Sequence, residues 1–532
     1  MRVLGIEGTA WAASAAVIDA PTTIHTLESD AYEPAAGGIH PREAAEHMAS
    51  AVPRVIDRAL ESFDPDTIDI VAFSRGPGLG PCLRIVGTAA RTIAQELEIP
   101  LVGVNHMVAH LEVGRLQSAF VDPICLNASG ANAHVLGHVG DRYRILGETM
   151  DTGVGNAIDK FTRHLGWSHP GGPKVEAAAL DGTYLELPYV VKGMDFSFSG
   201  ITSAAIDAID DGETVEDVCF SLQETIFAML TEVSERALSL TGRDELVLGG
   251  GVGQNQRLQS MLEEMCTNRG ASFFAPADEL LRDNAAMIAM LGASMAEAGE
   301  TIAIDQSAVR ADFRPDEVTV SWRDPADIRT RRDNQEIHHG AEARIERTNH
   351  RIRKVRQGKS YRHPALDSRL QRERTAAEAK LLHLARRNGV STPVIWDVDL
   401  EAAALTLESV GDDDIRDALT VERAKIIGRH LAKLHAAGII HGDPTTRNTR
   451  IDPSHERVYL IDFGLGYHSS HVEDQAMDLH VACQSITGTT TDPERYCSAL
   501  IVGYVEKANE TSVDADAVRH RLAEIDTRGR YQ

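Results

Sequence analysis

Apolar residues recur at two spacings along the first 320 residues, and the alternation of those spacings predicts strands interleaved with helices. Val3–Ile6 and Ala15–Ile18 read as strands on either side of a turn, Glu7-Gly8-Thr9. From Arg42 to Phe63, the residues Ala45, Met48, Val52, Val55, Ala59 and Phe63 fall at helical spacing. Ile68–Phe73 is a continuous apolar run that predicts a buried strand. It ends in Gly76-Pro77-Gly78-Leu79-Gly80 and precedes a predicted helix from Leu83 to Leu97. Leu101–Val104 predicts another strand running into a helix that begins near Asn105, and Cys125–Val139 predicts a hairpin. Glu245–Leu248 predicts a strand opening into Gly249-Gly250-Gly251, with a helix following through Met265. Such alternation predicts a mostly α/β domain. From Ser321 to Gln335 the chain turns polar, and Arg323-Asp324-Pro325 with Arg329–Asn334 predicts a linker. A second α/β unit is expected from there to Gln532. The expected domains are thus 1–323 and 335–532, joined by 324–334.

Length and composition narrow the class. A chain of 532 residues holds two or three domains with sizeable cores. With 43% hydrophobic and 25% charged residues, wholesale disorder is excluded. The longest uncharged stretch, Pro123 to Gly140, carries Asn127, Ser129, Asn132 and two histidines, so it predicts no membrane helix. Glu7 precedes any apolar segment of secretory-signal type. Six scattered cysteines without a Cys-x-x-Cys pair predict a reducing cytoplasm and no membrane association.

Charge adds a second message. The formal net charge is −26, and 44 of the 53 basic residues are Arg. Residues 1–325 carry 22 − 47 = −25, and the remainder 31 − 32 = −1. An acidic, Lys-poor surface suits a cytoplasm of multimolar salt, which predicts a halophilic microbe. At such salt the screening length falls to about 3 Å, so nucleic-acid binding must rely on local contacts. One local run stands out: Ile328 to Arg387 holds 17 Lys/Arg against 7 Asp/Glu, which predicts a polyanion partner.

Candidate chemistry in the first unit centres on His106 and His110. Four residues apart on a predicted helix, their imidazoles share one face and can meet a single cation. Met107 stands where a zincin would need its glutamate, which disfavours a metallopeptidase. Asp283 is a candidate third ligand, although the same position suits the N-cap of the Ala-rich helix that follows. Ser129-Gly130-Ala131-Asn132, Gly171-Gly172-Pro173 and Gly249–Gly253 with Asn255 are Gly-rich turns at predicted element ends. Together they predict a nucleotide cleft. No Gly-Lys-Ser/Thr follows any of them, so a P-loop is absent.

Several segments in this order resemble the tRNA threonylcarbamoyladenosine transferase family. They are Gly37–Arg42, Ser74–Gly78, His106–His110, Ser129–Asn132, Asn156–Lys160, Gly172–Glu176 and Gly249–Asn255. The resemblance covers about residues 1–323. It implies the actin/Hsp70/sugar-kinase fold, two duplicated ribonuclease-H-like halves around a cleft. It also implies transfer of a threonylcarbamoyl group from threonylcarbamoyl-AMP to N(6) of the adenosine 3′ of the anticodon in tRNA. In that reading His106, His110 and Asp283 hold an iron or zinc ion. Asn127, Ala128, Ser129, Gly130 and Ala131 touch the threonylcarbamoyl-adenylate. Asp159 and Glu176 bind ribose hydroxyls, Gly172 packs beside them, and Asn255 lies near the adenine or ribose. Asn127 departs from the family, whose archaeal members usually carry a metal-ligating Tyr there. Asn127 either offers a neutral carbonyl oxygen or drops out.

In the second unit, Ile440-His441-Gly442-Asp443, Asn448 and Ile461-Asp462-Phe463-Gly464 are spaced as a kinase catalytic core. Asp443 would orient or deprotonate the acceptor, and Asn448 and Asp462 would hold Mg²⁺. Lys354 would reach ATP phosphates with Glu378 as its ion-pair partner. Gly340-Ala341-Glu342-Ala343 is the expected nucleotide loop, with one glycine where ordinary kinases have three. Between Gly464 and a helix near Glu473 there is no room for a long activation segment. Tyr361–Asp367, Arg374–Glu378, His441–Asn448 and Arg528–Tyr531 resemble the small RIO-like Ser/Thr kinase/ATPase of the KEOPS complex, with Pro444 and Arg447 as departures. The whole chain is therefore expected to be a fusion of two KEOPS subunits. Its implied partners are tRNA, a small dimerising subunit and a tRNA-tail-binding subunit. The rival expectation is a signalling Ser/Thr kinase with a nucleotide-sensing domain.

Overall fold

The computed structural model describes residues 1–32, 40–323, 343–348, 350–411, 413–452, 457–490 and 492–528. Among the expected features, Gly37–Ile39, the linker 324–334, Gly340, Ala341, Glu342 and Gly529–Tyr531 lie outside the described residues. The chain divides into two compact units. The first comprises 1–190, 196–238 and 242–332; the second comprises 191–195, 239–241 and 333–532.

The first unit opens with β1 (Arg2–Glu7), β2 (Ala12–Asp19), β3 (Thr23–Ala31), α1 (Pro41–Leu60), β4 (Ile70–Gly76), α2 (Gly80–Glu96), β5 (Leu101–Asn105) and α3 (His106–Ser118). Then come β6 (Ile124–Ala128), β7 (Ala133–Val139), β8 (Arg142–Glu148), α4 (Val154–His164), α5 (Gly172–Ala179), the short strands β9 (Val191–Lys192) and β10 (Asp195–Phe196), α6 (Ser199–Asp210) and α7 (Val215–Thr241), of which β9, Asp195 and the last three residues of α7 count with the second unit. The unit closes with β11 (Glu245–Gly249), α8 (Gln256–Arg269), β12 (Ser272–Phe274), α9 (Asp278–Leu281) and α10 (Ala285–Glu297).

Two five-stranded mixed sheets carry this unit, ordered β3-β2-β1-β4-β5 and β12-β11-β6-β7-β8. Each has an antiparallel meander of three strands. The first strand of each meander (β1, β6) then pairs in parallel with a later strand (β4, β11). Taken from the meander edge, both read third-second-first-fourth-fifth, so one topology occurs twice. The resemblance implied such a duplicated α/β fold.

α1 and α2 cover the outer face of the first sheet, where Met48, Val52, Val55 and Val86 meet Leu4, Ile6, Val71 and Phe73. The larger core gathers residues of both sheets around α3 and α10. α10 is buried on nearly every side, as its Ala- and Met-rich sequence requires. It lies so close to β1 that a Cβ on Gly5 would collide with the Ala285 carbonyl. Periodicity located β1, β2, α1, β4, α2 and β5 to within a few residues. It did not register β3, whose edge position leaves it half-exposed. Nor did it register α7, 27 residues long and buried through most of its length, because a helix buried all round carries no polar face.

The second unit contains a four-stranded antiparallel sheet ordered β13-β14-β16-β15. Its strands are β13 (Ala343–Thr348), β14 (Arg351–Arg356), β15 (Ile395–Asp399) and β16 (Ala404–Glu408), and α11 (Pro364–Arg387) belongs with them. A mainly helical part follows: α12 (Val421–Ala436), α13 (Val472–Thr487), α14 (Pro493–Ala508) and α15 (Ala515–Arg528). Its core runs from Leu381 and Leu405 through Leu431, Phe463 and Leu479 to Tyr504. α11 starts at Pro364, capped by His363, and carries Glu378 among its buried residues. Only seven residues separate Gly464 from Val472, where α13 begins, so no long activation segment intervenes.

Candidate functional site

α3 opens at the carboxyl end of β5. Asn105 caps it, its side-chain oxygen accepting from the backbone N–H groups of Met107 and Val108 at 3.0 and 3.1 Å. That cap places His106 and His110 on successive turns of one face, both buried. Asp283 approaches from the start of α10. The cap of α10 is its neighbour Asn284, whose side-chain oxygen accepts from the Met287 N–H at 3.0 Å. The capping role weighed for Asp283 therefore falls to Asn284, and the Asp283 carboxylate turns to the imidazoles.

Nε2 of His106 and Nε2 of His110 each stand 3.4 Å from the same oxygen, Oδ1 of Asp283. Three ligand atoms from these residues lie within 4.8 Å of one another. A tetrahedral site with bonds of about 2.1 Å has edges of about 3.4 Å, so the spacing fits one first-row divalent ion. His110 makes no hydrogen bond through either ring nitrogen, which a buried imidazole tolerates poorly unless something else occupies the site. The residues present fit a metal.

Glu7, the last residue of β1, completes the arrangement and is fully buried. Its Oε2 lies 3.2 Å from Nδ1 of His106, and its Oε1 accepts from the Thr9 N–H at 2.8 Å. Burial alone would lower the basicity of His106, but Glu7 and Asp283 outweigh it and push the imidazole up to about 10. Burial works against the Asp283 carboxylate too, yet the two histidines hold it well below the usual range. His110, buried with a cationic neighbour, is pushed down. Sequence reasoning noted Glu7 only as part of a turn. Its signal was a lone acid ending an otherwise apolar strand.

The substrate-binding candidates gather at the carboxyl ends of β6 and β11. Asn127 is fully buried opposite Gly249; its Nδ2 faces Met107 Sδ at 3.6 Å and its Oδ1 has no hydrogen-bond partner. A Cβ on Gly250, whose φ is +87°, would collide with the Ala128 carbonyl and fall 2.5 Å from Asn127 Oδ1. The Ser129–Asn132 turn is closed by Ser129. The turn is tied to α4 by the Gly155 and Asn156 N–H groups, which donate to the Ser129 and Gly130 carbonyls at 3.2 and 2.9 Å. Ala131 packs there against Gly153.

Asp159 accepts from the Gly171 N–H at 2.7 Å, beside Gly172 at the start of α5, and its other oxygen lies 3.1 Å from Nδ1 of His169. Glu176 accepts from the Gln256 N–H at 2.8 Å. Asn255 is spent on structure: its oxygen accepts from Arg257 and Leu258 N–H groups, and its amide donates to Gln223. Asp159, Gly172, Glu176 and Asn255 thus belong to one connected patch, but the Asn255 oxygen is committed to capping α8 and its amide to Gln223.

The family model described as "TsaD: tRNA N6-adenosine threonylcarbamoyltransferase" matches residues 22–290, which include every one of these positions except Glu7. The chain is 62% identical, over all of both chains, to the "Probable bifunctional tRNA threonylcarbamoyladenosine biosynthesis protein" of Haloquadratum walsbyi. The protein of the same name from Halobacterium salinarum is 61% identical over 100% of this chain and 99% of its own. The chain belongs to this bifunctional family. A relative in Methanocorpusculum labreanum keeps 51% identity over the same span. Among solved structures, full-length HypF in its phosphate- and nucleotide-bound form matches 56% of each chain at 12% identity and TM-score 0.41. As a bifunctional tRNA threonylcarbamoyladenosine biosynthesis protein, the chain carries its transferase domain in the first unit.

The second unit of this bifunctional protein also brings its motif residues together. Lys354 on β14 donates to both oxygens of Glu378 on α11, at 2.8 and 3.0 Å, and lies 2.8 Å from Oδ1 of Asp462. Burial disfavours the charged amine, but Asp462 and Glu378 outweigh it and hold Lys354 above its ordinary value. Asn448 Nδ2 donates to Asp443 Oδ2 at 2.8 Å and to the Asp443 carbonyl at 3.0 Å. Asp478 on α13 steadies the loop before Asp443, accepting from the His441 and Gly442 N–H groups at 2.7 and 2.8 Å. The His441 ring packs 4.3 Å from that of Phe463, joining the Asp443 loop to the Asp462–Gly464 turn. Ala343 is the one nucleotide-loop residue described, buried at the start of β13.

The basic run is not one solvated face. Lys354, Arg356 and Arg362 within it are buried. Among the described residues, no helix is long and apolar enough to cross a membrane.

Proposed function

We propose that the first unit transfers a threonylcarbamoyl group from threonylcarbamoyl-AMP to N(6) of the adenosine 3′ of the anticodon, in tRNAs reading codons that begin with A. The second unit serves that reaction as a kinase-like ATPase. The observation that carries the first half is the convergence of His106, His110 and Asp283 on one point at ligand spacing.

In the transfer, N(6) of the adenosine attacks the carbamoyl carbonyl, the C–N bond forms, the anhydride C–O bond breaks, AMP leaves with the electron pair, and N(6) gives up a proton. His106, His110 and Asp283 would hold an iron or zinc ion, with Asn127 as a candidate fourth donor. When bound, the ion supplies Lewis-acid polarisation of the carbonyl and a template for the threonyl end. Glu7 keeps His106 turned so that Nε2 faces Asp283. The turn 129–132 offers backbone groups to the adenylate, and Asp159, Gly172 and Glu176 with the Asn255 segment form its nucleoside wall. Asp159 and Glu176 can each accept from a ribose hydroxyl through remaining carboxylate lone pairs.

In the second unit, Lys354 would reach the ATP phosphates, Asn448 and Asp462 would hold Mg²⁺, and Asp443 would orient the attacking hydroxyl or water. The nucleotide loop, Gly340–Ala343, would cover the phosphates. The short connection from Gly464 to Val472 favours ATP hydrolysis over docking of a protein substrate. A small dimerising subunit and a tRNA-tail-binding subunit of a KEOPS-type complex, in a cytoplasmic setting, are the proposed partners.

The test supplies the full chain with tRNA, threonine, bicarbonate, ATP and a threonylcarbamoyl-AMP synthase, and analyses tRNA nucleosides by mass spectrometry. Threonylcarbamoyladenosine is expected with the wild type and is lost in His110→Ala. Its absence with the wild type and the proposed partner subunits present refutes the transferase assignment. Stimulation of ATP turnover by tRNA is expected; a flat response with efficient phosphorylation of an added protein would reverse the assignment of the second unit.

A further inference from the structure

Lys354 is not the only buried cation on Glu378. Residues 354 and 356 are two apart on β14, so their side chains leave the same face of the sheet, and both are buried there. Arg356 Nη2 donates to Glu378 Oε2 at 2.7 Å, the oxygen that Lys354 reaches at 3.0 Å. The same Nη2 lies against the backbone of Gly464, where a Cβ would collide with it. Arg356 thus touches the ion-pair glutamate on one side and the end of the Asp462-Phe463-Gly464 turn on the other.

Lys354 is meanwhile shared between Glu378 and Asp462. In the kinase-like reading, on which this inference rests, Asp462 must face Mg²⁺ and Lys354 must face phosphate. Lys354 therefore gives up its contact with Asp462 and is shared between phosphate and Glu378 when nucleotide binds. Glu378 is fully buried. Burial pushes its carboxyl up and Lys354 opposes that, while Asp462 adds to the rise and Arg356 counters it. An ionised glutamate left there without a cation would cost several kcal/mol.

We infer that Arg356 is a positioning residue for ATP turnover: as a second cation on Glu378 it holds that carboxylate and the Gly464 turn in place while Lys354 is shared with the nucleotide. Arginine suits the task because it stays charged when buried. The arrangement predicts that loss of Arg356 disturbs the catalytic assembly more than nucleotide capture.

Steady-state ATP turnover by the full chain, wild type against Arg356→Met, Arg356→Lys and Lys354→Met, tests this. Arg356→Met is expected to lower kcat about tenfold or more while KM for ATP moves less than about threefold. Arg356→Lys should recover most of kcat, and Lys354→Met should raise KM as well as lower kcat. If Arg356→Met does not fold, Arg356→Gln takes its place with the same expected split. A kcat within twofold of wild type in Arg356→Met, or in Arg356→Gln where that stands in for it, overturns the inference, as does a KM that rises as much as kcat falls. A wild-type chain that neither binds nor turns over ATP defeats the kinase-like reading itself, a separate outcome.

Discussion

Oε2 of Glu7 stands 3.2 Å from Nδ1 of His106, so a carboxylate on the first strand orients an imidazole on α3, 99 residues later. Outer carboxylates of this kind fix the ring and its tautomer and raise the basicity of the ligating nitrogen. Glu7→Gln should therefore weaken iron or zinc binding about 10- to 100-fold, read by chelator competition, with the circular dichroism spectrum unchanged. Unaltered metal affinity would remove Glu7 from the site.

Asp283 and Asn284 are neighbours with separable jobs. Asp283→Asn keeps the size of the side chain but removes the anionic donor, so metal content after dialysis should fall to background with little change in melting temperature. Asn284→Ala should instead cost about 1 kcal/mol of stability through the lost cap on α10. Metal retention by Asp283→Asn at wild-type stoichiometry would show that the carboxylate is not a ligand.

Gly250 holds a φ of +87° beneath the Ala128 carbonyl, with Asn127 Oδ1 close by. A Cβ there meets both a disfavoured backbone conformation and a steric collision, so Gly250→Ala should lower stability by about 1–3 kcal/mol. The threonylcarbamoyl transfer should fall more steeply than stability does if, as proposed, the displaced backbone underlies the loop that holds the adenylate. Wild-type transfer by a folded Gly250→Ala would separate that loop from the substrate.

His430 on α12 is buried, its Nε2 bonded to the Val458 carbonyl at 3.0 Å and its Nδ1 without a partner. Burial, with Lys433 nearby, pushes it down to about 4. The unfolded chain takes up this proton near pH 6.5 and the folded one only near pH 4. The second unit should therefore lose stability as pH falls from about 6.5 to about 4, by up to ~3 kcal/mol from this group, with no contribution above pH 6.5. Denaturant titrations should show that slope reduced in His430→Gln. Equal slopes in the two proteins would place the acid sensitivity elsewhere.

The candidate sites were legible to different depths. His106 and His110 announced themselves because helical period puts i and i+4 on one face, a local relation. Asp443, Asn448 and Asp462 did so by spacing. Asp283 remained undecided, since a helix start accepts either a ligand or a cap at that place, and only the φ and ψ of Asn284 settled which residue capped. Arg356 looked like one more member of a basic run. Strand alternation placed it with Lys354, but nothing along the chain says which face of β14 is buried.

By itself, the amino-acid sequence determined the alternation of elements, the acidity of the first 325 residues and the local pairing of candidate residues. Each of these depends on residues close together in the chain, where backbone period and composition suffice. Tertiary structure alone decided that Glu7, His106 and Asp283 converge, that the Asn255 amide is spent on Gln223, and that Arg356 shares Glu378 with Lys354. Those relations join residues from 22 to nearly 280 positions apart: in the first unit the parallel strands β1, β4 and β5 end side by side and deliver their following loops and helices to one edge, and in the second α11 brings Glu378 to the buried face of an antiparallel sheet.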